Sequence, residues 1–121
     1  MNPVQRGKWG EKVAVDFLNK NGYTTVYTGF RSRFGEIDII AENNGFLVFA
    51  EVKTRKNTTF AHAREYVGKT KQKKIIATAK YWLAKRPTAL QPRFDVIEIY
   101  ANDGEYSESP EIIHIENAFG V

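Results

Sequence analysis

The stretch GEIDIIAENNGFLVFAEVKTR, Gly35 to Arg55, decides how the rest of the chain is read. Two apolar runs flank Glu42-Asn43-Asn44-Gly45, and Asn-Gly between such runs is a strong hairpin signal. With Asn44-Gly45 as a two-residue turn, Asn43 faces Phe46, Ile40 faces Phe49 and Asp38 faces Glu51. Facing residues of an antiparallel pair project on the same side, with Cβ atoms about 4.5–5.5 Å apart. Two carboxylates so placed repel each other unless positive charge stands between them. Lys53 lies two residues past Glu51 and so shares its face. The arrangement requires an even loop, because an odd one would send Asp38 to the opposite side of the sheet.

The second run is apolar on both faces, with Phe46, Val48, Ala50 and Val52 on one and Leu47 and Phe49 on the other. That pattern predicts a central strand covered on both sides. Glu51 and Lys53 then sit at the end of a buried strand, where an unpaired charge is costly. The simplest reading is a structural Glu51–Lys53 ion pair. A second carboxylate across the hairpin shifts the balance towards a site for a hard cation such as Mg²⁺ or Mn²⁺, which takes part of its shell from water and phosphate. Water activated by such a cation, with an ammonium nearby to orient it or to steady charge on phosphorus, is the chemistry of phosphodiester hydrolysis.

Composition narrows the class. The 121 residues make one domain, 1–121, with an ordinary share of hydrophobic (42%) and charged (26%) residues. No apolar run approaches the roughly 20 residues of a membrane span, and MNPVQRGKWGEK lacks the apolar core of a signal peptide. A cytoplasmic protein that does not engage membrane is the expectation. The absence of cysteine excludes disulfides and thiolate metal sites. All 18 Lys and Arg precede Phe94, and half of the 14 acids follow Arg93, so a net +11 is followed by a net −7. Such asymmetry is the footprint of a phosphate-backbone binder.

Outward from the hairpin, Val4 to Asn21 reads as a helix stopped by Gly22, with Val13, Ala14, Phe17 and Leu18 as its apolar stripe. Glu11 falls towards that stripe, either as a structural acid or as a third acid reaching the site. Gly7 and Gly10 permit close approach of the backbone, although lone glycines are weak signals. Tyr23 to Arg31 reads as a strand, and Arg31 and Arg33 flank the hairpin as phosphate contacts or solvated loop. Lys56 to Ala63 reads as a loop beside the site. Lys69 to Arg86 is a second helix, ended by Pro87, with Ile75, Ile76, Ala79, Trp82 and Leu83 facing inward. Its lysines, among them Lys69, Lys71, Lys73 and Lys74, have no acid among them, which favours a phosphate-facing surface over a merely solvated one. Lys71 and Gln72 lie one turn before the inner stripe, at its edge. Arg93 to Tyr100 and Ile112 to Glu116 are further strands, joined by a turn at Asn102-Asp103-Gly104. Asp95 reads as a structural acid, and His62 and His114 as ordinary surface or loop residues. The order α-β-β-β-α-β-β predicts an α/β domain, a mixed β-sheet flanked by helices.

This order and the D-x12-E-x-K core resemble the PD-(D/E)XK nuclease superfamily, and within it the YraN family, related to archaeal Holliday-junction resolvases. Gly10-Glu11, Gly35-Glu36-Ile37-Asp38, Glu51-Val52-Lys53-Thr54-Arg55, Lys71-Gln72 and Arg93-Phe94-Asp95-Val96 match the family's motifs in order. Ile37 replaces the superfamily's proline, and Ala61 stands where the family has glycine. The resemblance implies a restriction-endonuclease-like core. Asp38, Glu51 and the Val52 carbonyl would hold Mg²⁺ or Mn²⁺, and Lys53 would position or activate the water. Glu11 would be an auxiliary acid and Gln72 a polar contributor. Arg55 and the lysines of the second helix would hold nucleic acid, DNA before RNA. Branched DNA and a homodimer rest on the resolvase analogy alone. The rivals are a non-catalytic nucleic-acid-binding module of the same fold and an interaction protein whose basic face meets an acidic partner.

Overall fold

Asn44 and Gly45 both have positive φ, 48° and 83°, the combination that a two-residue hairpin turn of type I′ demands. The turn joins β2 (Gly35–Asn43) to β3 (Phe46–Arg55), and Asn43 pairs with Phe46 and Ile40 with Phe49, as the even loop requires. This computed structural model describes residues 2–55, 67–101 and 109–120. The expected loop at Lys56–Ala63, with Ala61 and His62, and the turn at Asn102–Gly104 lie outside them.

Around the hairpin stand α1 (Pro3–Lys20), β1 (Thr24–Ser32), α2 (Lys69–Lys85), β4 (Gln91–Tyr100) and β5 (Glu111–Phe119). The order is the predicted α-β-β-β-α-β-β, and the sheet runs β1-β2-β3-β4-β5. β4 lies parallel to β3, from Phe46 beside Gln91 to Arg55 beside Tyr100. A parallel neighbour needs a crossover, and α2 provides it. The other neighbours are antiparallel, so the sheet is mixed. β3 is central, as its doubly apolar sequence requires. Leu47 and Phe49 join Ile40, Ile75, Ala79 and Trp82 in the core under α2. Val48 and Ala50 join Ala14, Leu18, Ile39 and Ile97 under α1. Among the described residues no helix is long and apolar enough to cross a membrane.

α1 starts where its sequence says it should. Pro3 occupies the first turn and Asn2 forms a capping box with Gln5, at 2.8 and 3.0 Å. Its approach to the sheet depends on Gly10, which is buried against β3. A Cβ at that position would collide with Thr54 Oγ1. At Gly7, nothing lies within reach of such an atom.

β5 runs further than the sequence pattern suggested, and one buried acid accounts for its attachment. Asp95 is fully buried. Its carboxylate accepts hydrogen bonds from Arg93 Nε and Nη2 at 2.9 and 2.8 Å, from His114 Nε2 at 2.7 Å and from the Asn117 amide at 3.0 Å. Asp95 is the structural acid expected. His114 corrects the sequence reading. Its side chain is largely buried in β5, against Phe17 and Tyr23 and bonded to Asp95. Burial alone would raise the Asp95 carboxyl, but the bonds from His114, Arg93 and Asn117 outweigh it and hold the group below its ordinary range.

Gly10→Ala should lower stability by about 1–3 kcal/mol despite alanine's better helix propensity, because the new methyl overpacks Thr54. Removing the obstacle in Gly10→Ala/Thr54→Ala should recover most of that loss. Urea unfolding of the three proteins checks this; equal stability of wild type and Gly10→Ala would show that the helix does not need the close approach.

Candidate active site

The regular ladder between β2 and β3 ends at the pair Ile39–Ala50. One step further Asp38 would face Glu51, and here the strands part. The Val52 amide, which a continued ladder would pair with backbone, instead donates to Asp38 Oδ2 at 2.8 Å. The Asp38 side chain thus fills the opening between the strands, close to Glu51, which is 5% exposed. Lys71 of α2 reaches Glu51 Oε1 with its Nζ at 2.9 Å. Asp38, Glu51, Val52, Lys53, Lys71 and Glu11 line one cleft of about 680 Å³. Glu11, left open between two roles by the sequence, reaches the cleft because Gly10 seats α1 against β3 at Thr54.

The electrostatics of the cleft are under strain. Burial first, and then the charge of Glu51, push the Asp38 carboxyl up to about 7, against the opposing pull of the Val52 amide and Lys71. Glu11 adds to the push, and its own carboxyl is raised by burial and then by Glu36. Burial would lower the Lys71 ammonium, but Glu51 more than offsets it, so Lys71 stays charged. Burial and the repulsion between Asp38 and Glu51 outweigh the ammonium beside them, although Arg6, Lys8, Arg31 and Lys53 also line the cleft.

The ion pair suggested between Glu51 and Lys53 is made by Lys71 instead. Lys53 lines the same cleft and lies beside Glu98 of β4. Glu98 is buried and was not singled out in the sequence. Its signal was an acid in phase with Phe94, Val96 and Tyr100, between Ile97 and Ile99. Gln72 donates its Nε2 to the Val67 carbonyl at 2.8 Å, supporting the chain as it enters α2, and does not line the cleft. Arg55 is partly buried at the end of β3, beside Tyr100, rather than presented to solvent. Burial and then the charge of Glu98 raise the Tyr100 hydroxyl, with Arg55 opposing. Lys69, Lys73 and Lys74 are exposed on α2. Of these, Lys74 lines a second cleft with Arg31, Ser32, Gly35, Glu36 and Lys71.

A small hard cation fits the donor set. The donors are carboxylate oxygens, and one of them is driven towards protonation by burial and by the charge of the other. Among the described residues no three acids, histidines or cysteines cluster into a complete cage. A cation held by Asp38 and Glu51 would therefore draw the rest of its shell from water, phosphate or backbone oxygen.

A mixed five-stranded sheet between two helices, with acids from α1, β2 and β3 meeting lysines in one cleft, defines the class: an α/β protein with a carboxylate–lysine site. The chain belongs to the uncharacterised protein family UPF0102, also called YraN, whose model matches residues 10–99. It is 45% identical over 121 residues to a UPF0102 protein of Caldicellulosiruptor bescii, covering 98% of this chain and 100% of that one. A UPF0102 protein of Persephonella marina is 44% identical over 115 residues, 94% and 92% of the two chains. One of Clostridioides difficile is 42% identical over 120 residues, 98% and 100%.

The raised Asp38 carboxyl carries a pH dependence. Unfolded, it titrates near its ordinary 3.8; folded, near 7. Between those values the folded chain binds the extra proton, so the Asp38 contribution to stability falls as pH rises from about 4 to 7 and its full cost stands above that. Asp38→Asn removes the charge and keeps an acceptor for the Val52 amide. The variant should exceed wild type by about 2 kcal/mol at pH 8 and match it near pH 4. Urea titrations across that range check this, and a difference independent of pH would return Asp38 to ordinary titration.

Proposed function

We propose that the domain is the core of a restriction-endonuclease-like, PD-(D/E)XK nuclease that hydrolyses phosphodiester bonds of nucleic acid, DNA foremost, with Mg²⁺ or Mn²⁺. The observation that carries this is the meeting of Asp38 and Glu51 at the parting of β2 and β3. There the carboxyl of Asp38 is pushed up to about 7 while Lys53 and Lys71 line the same cleft. When bound, the cation would offset the repulsion between Asp38 and Glu51 and supply the positive charge that a phosphodiester needs as charge builds on its oxygens.

The chain's own residues divide the remaining work. Asp38 is held by the Val52 amide, so its free oxygen points to a fixed place without loss of side-chain freedom on binding. Lys53 follows Glu51 on the same strand face and offers an ammonium that orients the attacking water or donates to a phosphoryl oxygen. Lys71 holds Glu51 in the absence of substrate. An ammonium that exchanges between that carboxylate and a phosphate couples arrival of substrate to release of Glu51. Glu11 raises the local negative potential that makes a cation welcome. Lys69, Lys73 and Lys74 add the sequence-independent attraction for the backbone.

A second reading is favoured by one observation. Because Lys71 already neutralises Glu51 at 2.9 Å, the site also suits a nucleic-acid-binding module without catalysis. Labelled single strand, duplex, flap and four-way junction, incubated with Mg²⁺, Mn²⁺ or EDTA, separate the two. Metal-dependent cleavage should fall about 100-fold or more in Glu51→Ala and in Lys53→Ala, with binding retained. Absent cleavage with salt-sensitive binding that Glu51→Ala leaves unchanged would establish the binding module.

A further inference from the structure

We infer that the face formed by one side of α2 and the turn between β1 and β2 binds unpaired nucleotides, stacking their bases on Phe34 and Tyr81 and leading the strand to the acidic cleft. This names a substrate class for the proposed nuclease site, a strand with a single-stranded part, and it rests on that reading for its catalytic meaning.

Lys71, Lys74, Thr78, Tyr81 and Lys85 recur at three- and four-residue intervals, so they share one side of α2. The turn between β1 and β2 lies against that side. Gly35 packs on the Cβ of Lys74, and Ser32 Oγ is 3.3 Å from Thr78 Oγ1. The cleft holding Asp38 and Glu51 and the one lined by Lys74 and Ser32 share Arg31, Glu36 and Lys71. The acidic cleft therefore adjoins the second one, and Lys74 of that second cleft lies on the same side of α2 as Tyr81, two turns away.

At that end the rings are exposed. Phe34 and Tyr81 are each 37% exposed and Tyr27 47%. The Phe34 and Tyr81 centroids are 6.1 Å apart, and Tyr81 stacks on Phe30 at 6.3 Å. Cations lie over the rings. Arg33 lies 4.9 Å from the Phe34 ring, Lys85 5.3 Å from Tyr81 and Arg86 3.8 Å from Trp82. α2 carries no acid, and Glu36 is paired with Arg31 at 3.3 Å.

Exposed rings beside Arg33, Lys85 and Arg86 suit a ligand that is flat, apolar on its faces and anionic along its edge. A nucleotide strand is such a ligand. In a duplex the base faces are hidden by stacking, so only unpaired bases can meet the rings, whereas either form can meet the lysines. A second copy of this chain would bring the same cations against themselves.

The test is anisotropy of short labelled oligodeoxyuridylate, oligouridylate and a hairpin duplex with the full chain in EDTA, so that binding is read without cleavage. Phe34→Leu/Tyr81→Leu keeps apolar bulk but removes the π-faces; Phe34→Tyr/Tyr81→Phe keeps them. Thermal melting should be unchanged in the aromatic pair and lowered by only a few degrees in the leucine pair, which loses the ring contacts to Phe30. Single-strand affinity should fall by about tenfold or more in the leucine pair, hold in the aromatic pair, and change less than about twofold for duplex. The stronger of the two single strands names the sugar. Equal losses on duplex and single strand, or no loss, would overturn the inference. So would a wild-type dimer by sedimentation that the leucine pair dissolves without changing single-strand affinity. An inactive wild type that shows the expected binding pattern sinks the nuclease reading and not this one; an active nuclease indifferent to the leucine pair does the reverse.

Discussion

The structure depends on where β3 is allowed to carry charge. Its first half is covered by α2 on one face and α1 on the other, so an ionic group there would lose its water on both sides. Glu51 appears only as the strand leaves that double cover, and even so remains almost fully buried. Everything polar near it answers to that placement. β2 departs from the ladder so that Asp38 can take the Val52 amide, α1 is seated by Gly10, and α2 sends Lys71 across to Glu51. The site is a consequence of ending a central strand on a carboxylate with a second one beside it. Interior dielectric makes such repulsion far stronger than in water, and with burial it pushes the Asp38 carboxyl up to about 7.

The period of two residues in a strand made much of this readable in advance. Once Asn44-Gly45 is the turn, parity alone places Asp38, Glu51 and Lys53 near one another, and the doubly apolar β3 must be central. The element order followed from apolar periodicity and from stops such as Pro87. Parity says nothing of what a neighbouring element contributes. The partner of Glu51 is Lys71 because α2 docks with its first turns over the end of β3, a matter of three-dimensional packing to which strand arithmetic is blind. Gln72 sits beside Lys71 in sequence yet turns to Val67, since adjacent helical residues point about 100° apart. His114 looked like a surface residue because nothing near it in sequence shows that Asp95, nineteen positions earlier, lies buried beneath it. Gly10 looked like any lone glycine, and only the approach of Thr54 separates it from Gly7.

Asp38 and Asp95 show what distinguishes a structural carboxylate from a reactive one in this fold. Both are aspartates in strands, and both are removed from water. Asp95 is met by a guanidinium, an imidazole and an amide, and its carboxyl is held below the ordinary range. A lowered carboxyl means that the neighbours prefer the charge, so nothing is left to offer a ligand. The acceptor strength of Asp95 also fixes the proton on His114 Nε2, which ties β5 to the sheet. Asp38 receives one amide and a distant ammonium against the charges of Glu51 and Glu11, and its carboxyl is pushed up to about 7. On that side of the sheet the two hairpin carboxylates stand in each other's field away from water, and the amide and ammonium near Asp38 do not cancel it. The fold thus spends its arginine and histidine where rigidity is needed, and leaves the hairpin carboxylates short of partners where a ligand can complete them.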